Sequence, residues 1–177
     1  MRKLYHVTDA NQLSKQGTIV SMQKDKILIV DNVRSAHNVG SFFRTSDGAG
    51  VSKIILIGYT PAPKDRFGRV QPEIEKTSLG ASTMIPWEQK EVETEIISCI
   101  TELKSQGYHI VSLEQTRDSV SLYDFIVPEK VAYIVGNEID GVSQALLNVS
   151  DTVVHIPMYG EKESLNVSVA TGIVLFH

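Results

Sequence analysis

Three stretches of this chain concentrate side chains that do chemistry: NVRSAHNVGSFFRTSDGAG (32–50), NEIDGVSQ (137–144) and MYGEKESLNVSVATG (158–172). Asn, Arg, Glu, Ser and Gly recur in them. Such residues build a polar pocket from hydrogen bonds and close backbone approach. Other chemistries fit less well. A dinucleotide site calls for G-x-G-x-x-G after the first strand. The glycines there are Gly40, Gly48 and Gly50, in another pattern, and no G-x-x-x-x-G-K-[ST] occurs. The five histidines, His6, His37, His109, His155 and His177, form no H-E-x-x-H or similar helical pair. Cys99 is the only cysteine, so disulfides within the chain and multi-cysteine zinc motifs are excluded and no metal is expected. Ser41, Ser46 and Ser164 carry hydroxyls, but none stands in G-x-S-x-G.

The elements that must hold these stretches follow from the apolar runs. KILIVD (26–31), KIILIG (53–58), YHIVSL (108–113), VAYIVG (131–136) and TVVHIP (152–157) are rich in Ile and Val. They are apolar through most of their length rather than alternating, as strands buried on both faces of a parallel sheet are. MIPWE (84–88) is a weaker sixth candidate. Helices are expected over 37–49, 91–106, 143–149 and 164–177. Alternation of strand and helix predicts an α/β domain with a mostly parallel sheet and flanking helices. In such sheets ligands sit beyond the carboxyl ends of the strands. The three polar stretches all follow strands. Cys99 lies in an apolar helical stretch and reads as an inert buried thiol, and His109 and His155 read as buried, hydrogen-bonded strand residues. Two segments, 59–83 and 114–128, read as long loops, which are more often functional than short ones.

The chain has 177 residues, which fits one domain over 1–177, with 1–25 as an extension ahead of the first strand. MRKLYHVTDANQLSKQG lacks the apolar centre of a secretory signal, and no apolar run nears ~18 residues. A cytoplasmic location without membrane contact is the expectation. The net charge of −4 lowers the odds of a nucleic-acid partner, yet it conceals a split. Residues 1–70 hold 11 Lys and Arg against 5 Asp and Glu, while residues 71–177 hold 6 against 16. Lys64, Arg66 and Arg69 cluster in the first long loop. KDRFGR interleaves an aromatic with cations there, which suits stacking on an unpaired base.

The three polar stretches, together with IVG before the second and HIP before the third, resemble the three signature motifs, in order, of the SpoU (TrmH-like) branch of the SPOUT RNA methyltransferases. The resemblance runs from about residue 27 to 177, and KTSLGA (76–81) also resembles a segment of smaller bacterial members. It implies transfer of a methyl group from S-adenosylmethionine to a ribose 2′-hydroxyl of tRNA or rRNA. It further implies a deep trefoil knot in the C-terminal segment and a homodimer packed through that region.

By the same resemblance the cofactor rests on backbone at Val135, Gly136, Asn137, Ile156, Met158 and Leu165, with Gly136 and Gly141 admitting close approach. Arg44 stands where the motif has its catalytic arginine, and Asn38 is expected to orient Arg44 or the ribose. Glu138 matches the acidic residue of the second motif, expected to hold basic groups or order its loop. Ser164 and Asn166 match the polar pair of the third motif at the start of the last helix. Arg34 fits a phosphate contact. An arginine keeps its proton to a pKa above ~12, so charge stabilisation is a cheaper role for Arg44 than base catalysis. The residues ahead of the first strand are too few for the separate RNA-binding domain that some members carry, so a minimal enzyme or a trimmed chain is expected. The alternatives are a non-catalytic RNA-binding or ribosome-assembly module that keeps the fold, and a generic nucleotide-binding α/β enzyme. The missing glycine fingerprint disfavours the latter.

Overall fold

The computed structural model describes residues 24–177, so nearly all of the expected N-terminal extension, 1–25, lies outside the described residues. Seven strands form one sheet: β1 Asp25–Asp31, β2 Val51–Ile57, β3 Trp87–Lys90, β4 His109–Leu113, β5 Val120–Ser121, β6 Lys130–Val135 and β7 Thr152–His155. Their order is β3-β2-β1-β6-β4-β7-β5, and every pairing is parallel. Six α-helices surround it: α1 Ala36–Ala49, α2 Pro72–Ser78, α3 Ala81–Met84, α4 Glu93–Ser105, α5 Gln144–Val149 and α6 Val167–Leu175.

The continuous apolar runs have a direct cause. Successive residues of a strand point to opposite faces, and both faces are covered. Leu28, Val30, Leu56, Tyr133 and Val135 face a core shared with Phe42 and Phe43 of α1, Ile74 of α2 and Val174 of α6. Ile27, Ile29, Ile55, Ile57 and Ile134 face a second core shared with Ile100 and Leu103 of α4 and Leu146 of α5. Cys99 is half-buried on α4, and burial pushes its thiol pKa up, which keeps it protonated and unreactive at neutral pH. His109 and His155 are half-buried rather than buried, but each is hydrogen-bonded: His109 Nε2 with Thr152 Oγ1 at 2.8 Å, and His155 Nδ1 with Ser119 Oγ at 3.0 Å.

The structure corrects several boundaries. Residues 59–83 are not one loop, because they contain α2 and α3. Helices this short carry little periodicity and are held by packing instead. Ile74 is fully buried, and Pro72 supplies the helix start. α1 meets α2 so closely that a Cβ on Gly40 would collide with the Thr77 side chain. The weak strand 84–88 is β3 at Trp87–Lys90, the edge beside β2. The loop 114–128 contains β5 and a single 3₁₀ turn at Leu122–Asp124. The last helix begins at Val167 rather than 164, with Asn166 as its cap. Its far end returns to the sheet, where Lys26 Nζ donates to the Leu175 carbonyl at 2.6 Å. A cation there complements the negative end of the helix.

Candidate active site

The carboxyl ends of β4, β6 and β7 converge on one cavity of about 570 Å³. That size suits a small organic ligand, for which roughly 300–1,000 Å³ is usual. Val135, Gly136, Asn137, Gly141, Ile156, Met158 and Leu165 all line it. Glu138, Ser164 and Asn166 line it as well. Two of the three polar stretches therefore build its walls, as segments following β6 and β7.

Residues 137–141 form a tight closed turn, in which Asn137 N donates to Gly141 O at 2.9 Å and Gly141 N to Asn137 O at 3.0 Å. A Cβ on Gly136 would fall on the Gly141–Val142 backbone, so only glycine allows the strand end and the turn to touch. Gly141 has φ +70°, a left-handed conformation that favours glycine. Side-chain carboxylates hold the turn from below. Glu114 Oε2 accepts from Val142 N at 2.9 Å, and buried Asp31 Oδ2 accepts from Ser143 N at 2.7 Å. The Asn137 side chain is fully used in fixing the loop. Its oxygen accepts from the backbone of Ile139 and Asp140, and its nitrogen donates to Asn32 O at 2.7 Å and to the Tyr59 hydroxyl at 2.8 Å. What it offers a ligand is backbone.

Glu114 was not among the expected site residues, although it directly follows a strand that ends at the cavity. Reading the residue after β4 by the rule applied to the other strands would have found it.

The mouth of the cavity is a network of three side chains. Asn38 Nδ2 donates to Glu138 Oε1 at 3.0 Å, and Asn166 Nδ2 donates to Asn38 Oδ1 at 3.4 Å. Glu138 also accepts from the backbone N–H of Arg34 at 3.2 Å and of Ser35 at 3.4 Å. It sits against the start of α1, where Ser35 caps the helix. A negative group is stabilised at that positive end. Partial burial on its own would raise the Glu138 pKa. Its own backbone N–H, the Asn38 amide and the Arg34 and Ser35 N–H groups outweigh burial and hold it below the usual carboxylate value. Glu138 is therefore an anion that orders the first and second polar stretches.

Asn38 is not directed at Arg44, contrary to one of the two roles expected for it. The two are six residues apart on α1, roughly 120° round the helix and about 9 Å along it. Arg44 is exposed, lines neither cavity described here and makes no ion pair or hydrogen bond among the described residues. It stands next to Thr45, which packs on Gly172 of α6. Ser164 is exposed and does not cap the last helix. Asn166 does, accepting from Ser168 N at 2.8 Å.

The first cavity is lined by Glu114, Glu138, Asp140 and Glu163 and by no lysine or arginine. With Ile156, Met158, Leu165 and Ala170 it combines an apolar slot with negative charge, a chemistry that receives a cationic ligand. A second cavity opens beyond the ends of β2 and β3, lined by Lys64, Arg66 and Arg69 among others. Arg34 stands between the two. Its backbone meets Glu138, and its guanidinium carbon is 5.9 Å from the Tyr59 ring centroid. Among the described residues no group of three or more His, Cys, Asp or Glu is placed to hold a metal ion, and no helix is long and apolar enough to cross a membrane.

Comparison with known proteins agrees with this architecture. The profile of the SpoU rRNA Methylase family matches residues 25–176. A 23S rRNA (guanosine-2′-O-)-methyltransferase, RlmB, of Xanthomonas axonopodis pv. citri is 37% identical over 150 residues, 85% of this chain and 56% of that protein. The tRNA (guanosine(18)-2′-O)-methyltransferase of Aquifex aeolicus is 33% identical over 154 residues, 87% of this chain and 68% of that one. Among solved structures, an AdoMet-bound rRNA methyltransferase from Sinorhizobium meliloti superposes with a TM-score of 0.74 at 29% identity, covering 86% of this chain and 54% of that one. The A. aeolicus TrmH/SpoU tRNA modifying enzyme does so with 0.72 at 31% identity, covering 86% and 73%. The chain spans about half the length of the RlmB relatives it matches. Its motifs, its parallel sheet and its matches over nearly all described residues place this chain in the SpoU family of SPOUT methyltransferases.

Proposed function

We propose that this chain transfers a methyl group from S-adenosylmethionine to a ribose 2′-hydroxyl of rRNA or tRNA. The observation that carries the reading is the acidic, glycine-walled cavity at the strand ends, which fits the donor in size and charge. When bound, S-adenosylmethionine supplies the methyl group as an electrophile on a positively charged sulfur. Backbone at Val135, Gly136, Asn137, Ile156 and Met158, with the Leu165 side chain, supplies the apolar slot and the hydrogen bonds an adenine needs.

The remaining residues position the nucleophile. Glu138 holds the Asn38 amide, which with Asn166 presents polar groups to a ribose at the cavity mouth. The ribose hydroxyl must shed its proton as its oxygen takes the methyl group, and solvent water at the exposed cavity mouth accepts it. Arg44 lies outside both cavities of its own protomer; in the proposed homodimer it keeps its own proton and acts by charge on the oxygen and a phosphate. Lys64, Arg66, Arg69 and Arg34 line the approach for RNA phosphates.

The knotted path of the C-terminal segment, a homodimer through it and a cytoplasmic location belong to this reading. The dimer is supported by Leu165, Val169 and Phe176, which are exposed apolar residues on or beside α6.

Two measurements test the proposal. Titration calorimetry is expected to show S-adenosylmethionine binding, and no heat at millimolar donor overturns the cavity's assignment. Nucleoside mass spectrometry of total RNA from a strain lacking the gene, after incubation with protein and donor, is expected to show a new 2′-O-methylated nucleoside. A base-methylated product refutes the ribose assignment. RNA binding without any transfer favours a non-catalytic module.

A further inference from the structure

Residues 64–70 form a built turn rather than a passive loop. Lys64 and Val70 pair as an antiparallel bridge, and Gly68 takes φ +78° at the tip. The Asp65 carboxylate is its hub. Oδ1 accepts from Phe67 N and Arg69 N, both at 2.9 Å, and Oδ2 accepts from Arg69 Nε at 2.6 Å. The backbone closes with Asp65 N donating to Arg69 O at 3.0 Å and Gln71 N to Pro63 O at 2.9 Å. This scaffold holds one large aromatic side chain out of the molecule. Phe67 is 68% exposed, with the Arg66 guanidinium carbon 4.9 Å and that of Arg69 5.1 Å from its ring centroid.

The turn forms the rim of the second cavity, whose floor includes Trp87, Gln89 and Tyr59. Asn32 and Tyr59 line that cavity and both accept from the Asn137 side chain, whose backbone lines the first one. The two cavities are therefore neighbours separated by one amide.

We propose that this turn is a preorganised clamp for an unpaired nucleobase of the RNA substrate, at a nucleotide flanking the one that enters the first cavity. The inference rests on the RNA-methyltransferase reading above. Three features select the occupant. An exposed aromatic ring with guanidinium planes beside it, carried on its own hydrogen-bonded turn, offers stacking surface to any base. The guanidiniums of Arg66 and Arg69, which lie over the ring, also suit the flanking phosphates, and no lysine or arginine lines the first cavity. A base in a duplex has both faces covered, so only an unpaired one can stack on Phe67. The clamp therefore favours a single-stranded segment, such as a loop or bulge.

The test is fluorescence anisotropy with a labelled 12-residue oligoadenylate, using wild type, Phe67→Ala, Phe67→Trp and Arg66→Ala. Donor calorimetry runs in parallel on each. Phe67→Ala is expected to weaken binding roughly tenfold without changing its salt dependence, the size of one lost base stack. Phe67→Trp is expected to stay within about twofold of wild type. Arg66→Ala is expected to weaken binding and reduce the salt slope by about one phosphate. Donor binding is expected to be equal in all four. Equal affinity for Phe67→Ala and wild type overturns the clamp and leaves the methyltransferase reading intact. A wild type that binds donor but no oligoadenylate also overturns the clamp. Failure of the wild type to bind donor overturns the underlying reading.

Discussion

The two cavities share a wall and are opposite in character. The one at the ends of β4, β6 and β7 is lined by four carboxylates and no lysine or arginine. The one at the ends of β2 and β3 carries Lys64, Arg66 and Arg69 against Asp65 and Glu91. The first is built from backbone packed against backbone, at Gly136 and the 137–141 turn. The second is built from long side chains on a turn. Close backbone approach fixes a small ligand within a fraction of an ångström, whereas flexible cations accept a polyanion in many registers. Under the proposed function, a methyl donor takes the first kind of site and an RNA the second. The net charge of −4 averages them away.

The largest expected effect belongs to a residue in neither cavity. If the two cavities sufficed for catalysis, Arg44→Ala would be silent. We expect turnover to fall by about 10²–10³, the usual effect of removing one donor that stabilises developing charge. Donor affinity is expected to hold. Stability is expected to change by no more than about 0.5 kcal/mol, because Arg44 is exposed and has no partner among the described residues. Single-turnover methyl transfer beside calorimetry separates these outcomes. Unchanged turnover removes Arg44 from the mechanism.

Gly136→Ala sharpens the contrast between backbone-built and side-chain-built sites. The added methyl falls on the Gly141–Val142 backbone, which has no rotamer to yield. Overpacking of this kind commonly costs ~1–3 kcal/mol, so with that strain at the donor site its affinity is expected to drop about 5- to 150-fold. Oligoribonucleotide affinity through the second cavity is expected to change less than about twofold, a ceiling set by its reliance on phosphate contacts. Equal losses at both sites would show that the wall at Asn137 transmits strain and that the cavities act as one.

Much of the first cavity was legible in the sequence, and the reason is its construction. Strands buried on both faces leave long Ile and Val runs, and a site at their carboxyl ends is written in the residues that follow. The segments after VAYIVG and TVVHIP wall it, and the one after KILIVD reaches its mouth through Asn38. Less was legible where tertiary packing decides. α2 and α3 hid in an apparent loop because packing holds them, not periodicity: Ile74 and the Gly40–Thr77 contact in α2, and buried Ala81 and Ser82 in α3. Glu114 stood unread at a strand end. The Asn38–Glu138 bond spans 100 positions and has no local signature. The turn at 64–70 showed its composition, but Asp65 as the hub of the Phe67 clamp is visible only in three dimensions.

Glu138→Gln tests the smallest difference, that between a carboxylate which organises and one that merely contributes charge. Both Glu138 oxygens accept from N–H groups, so the amide nitrogen of glutamine would face another donor whichever way it turned. Hydrogen bonds at an exposed edge are modest, and a loss of about 1 kcal/mol in urea unfolding at pH 7 is expected. The pH dependence identifies the cause. The folded-state pKa of Glu138 is lowered, so its contribution is complete above the unfolded value, near ~4.3, and fades as pH falls through the folded one. Wild type and variant are therefore expected to differ by a constant amount above about pH 5 and to converge in more acidic solution. Asp65 is lowered as well, mainly by the Arg69 backbone donor, and loses its contribution in the same direction. It does so in both proteins, so it cancels in the difference between them. A difference that persists unchanged into acid would mean that the glutamine is penalised by its shape, and that the Glu138 charge does not hold the start of α1 at the cavity mouth.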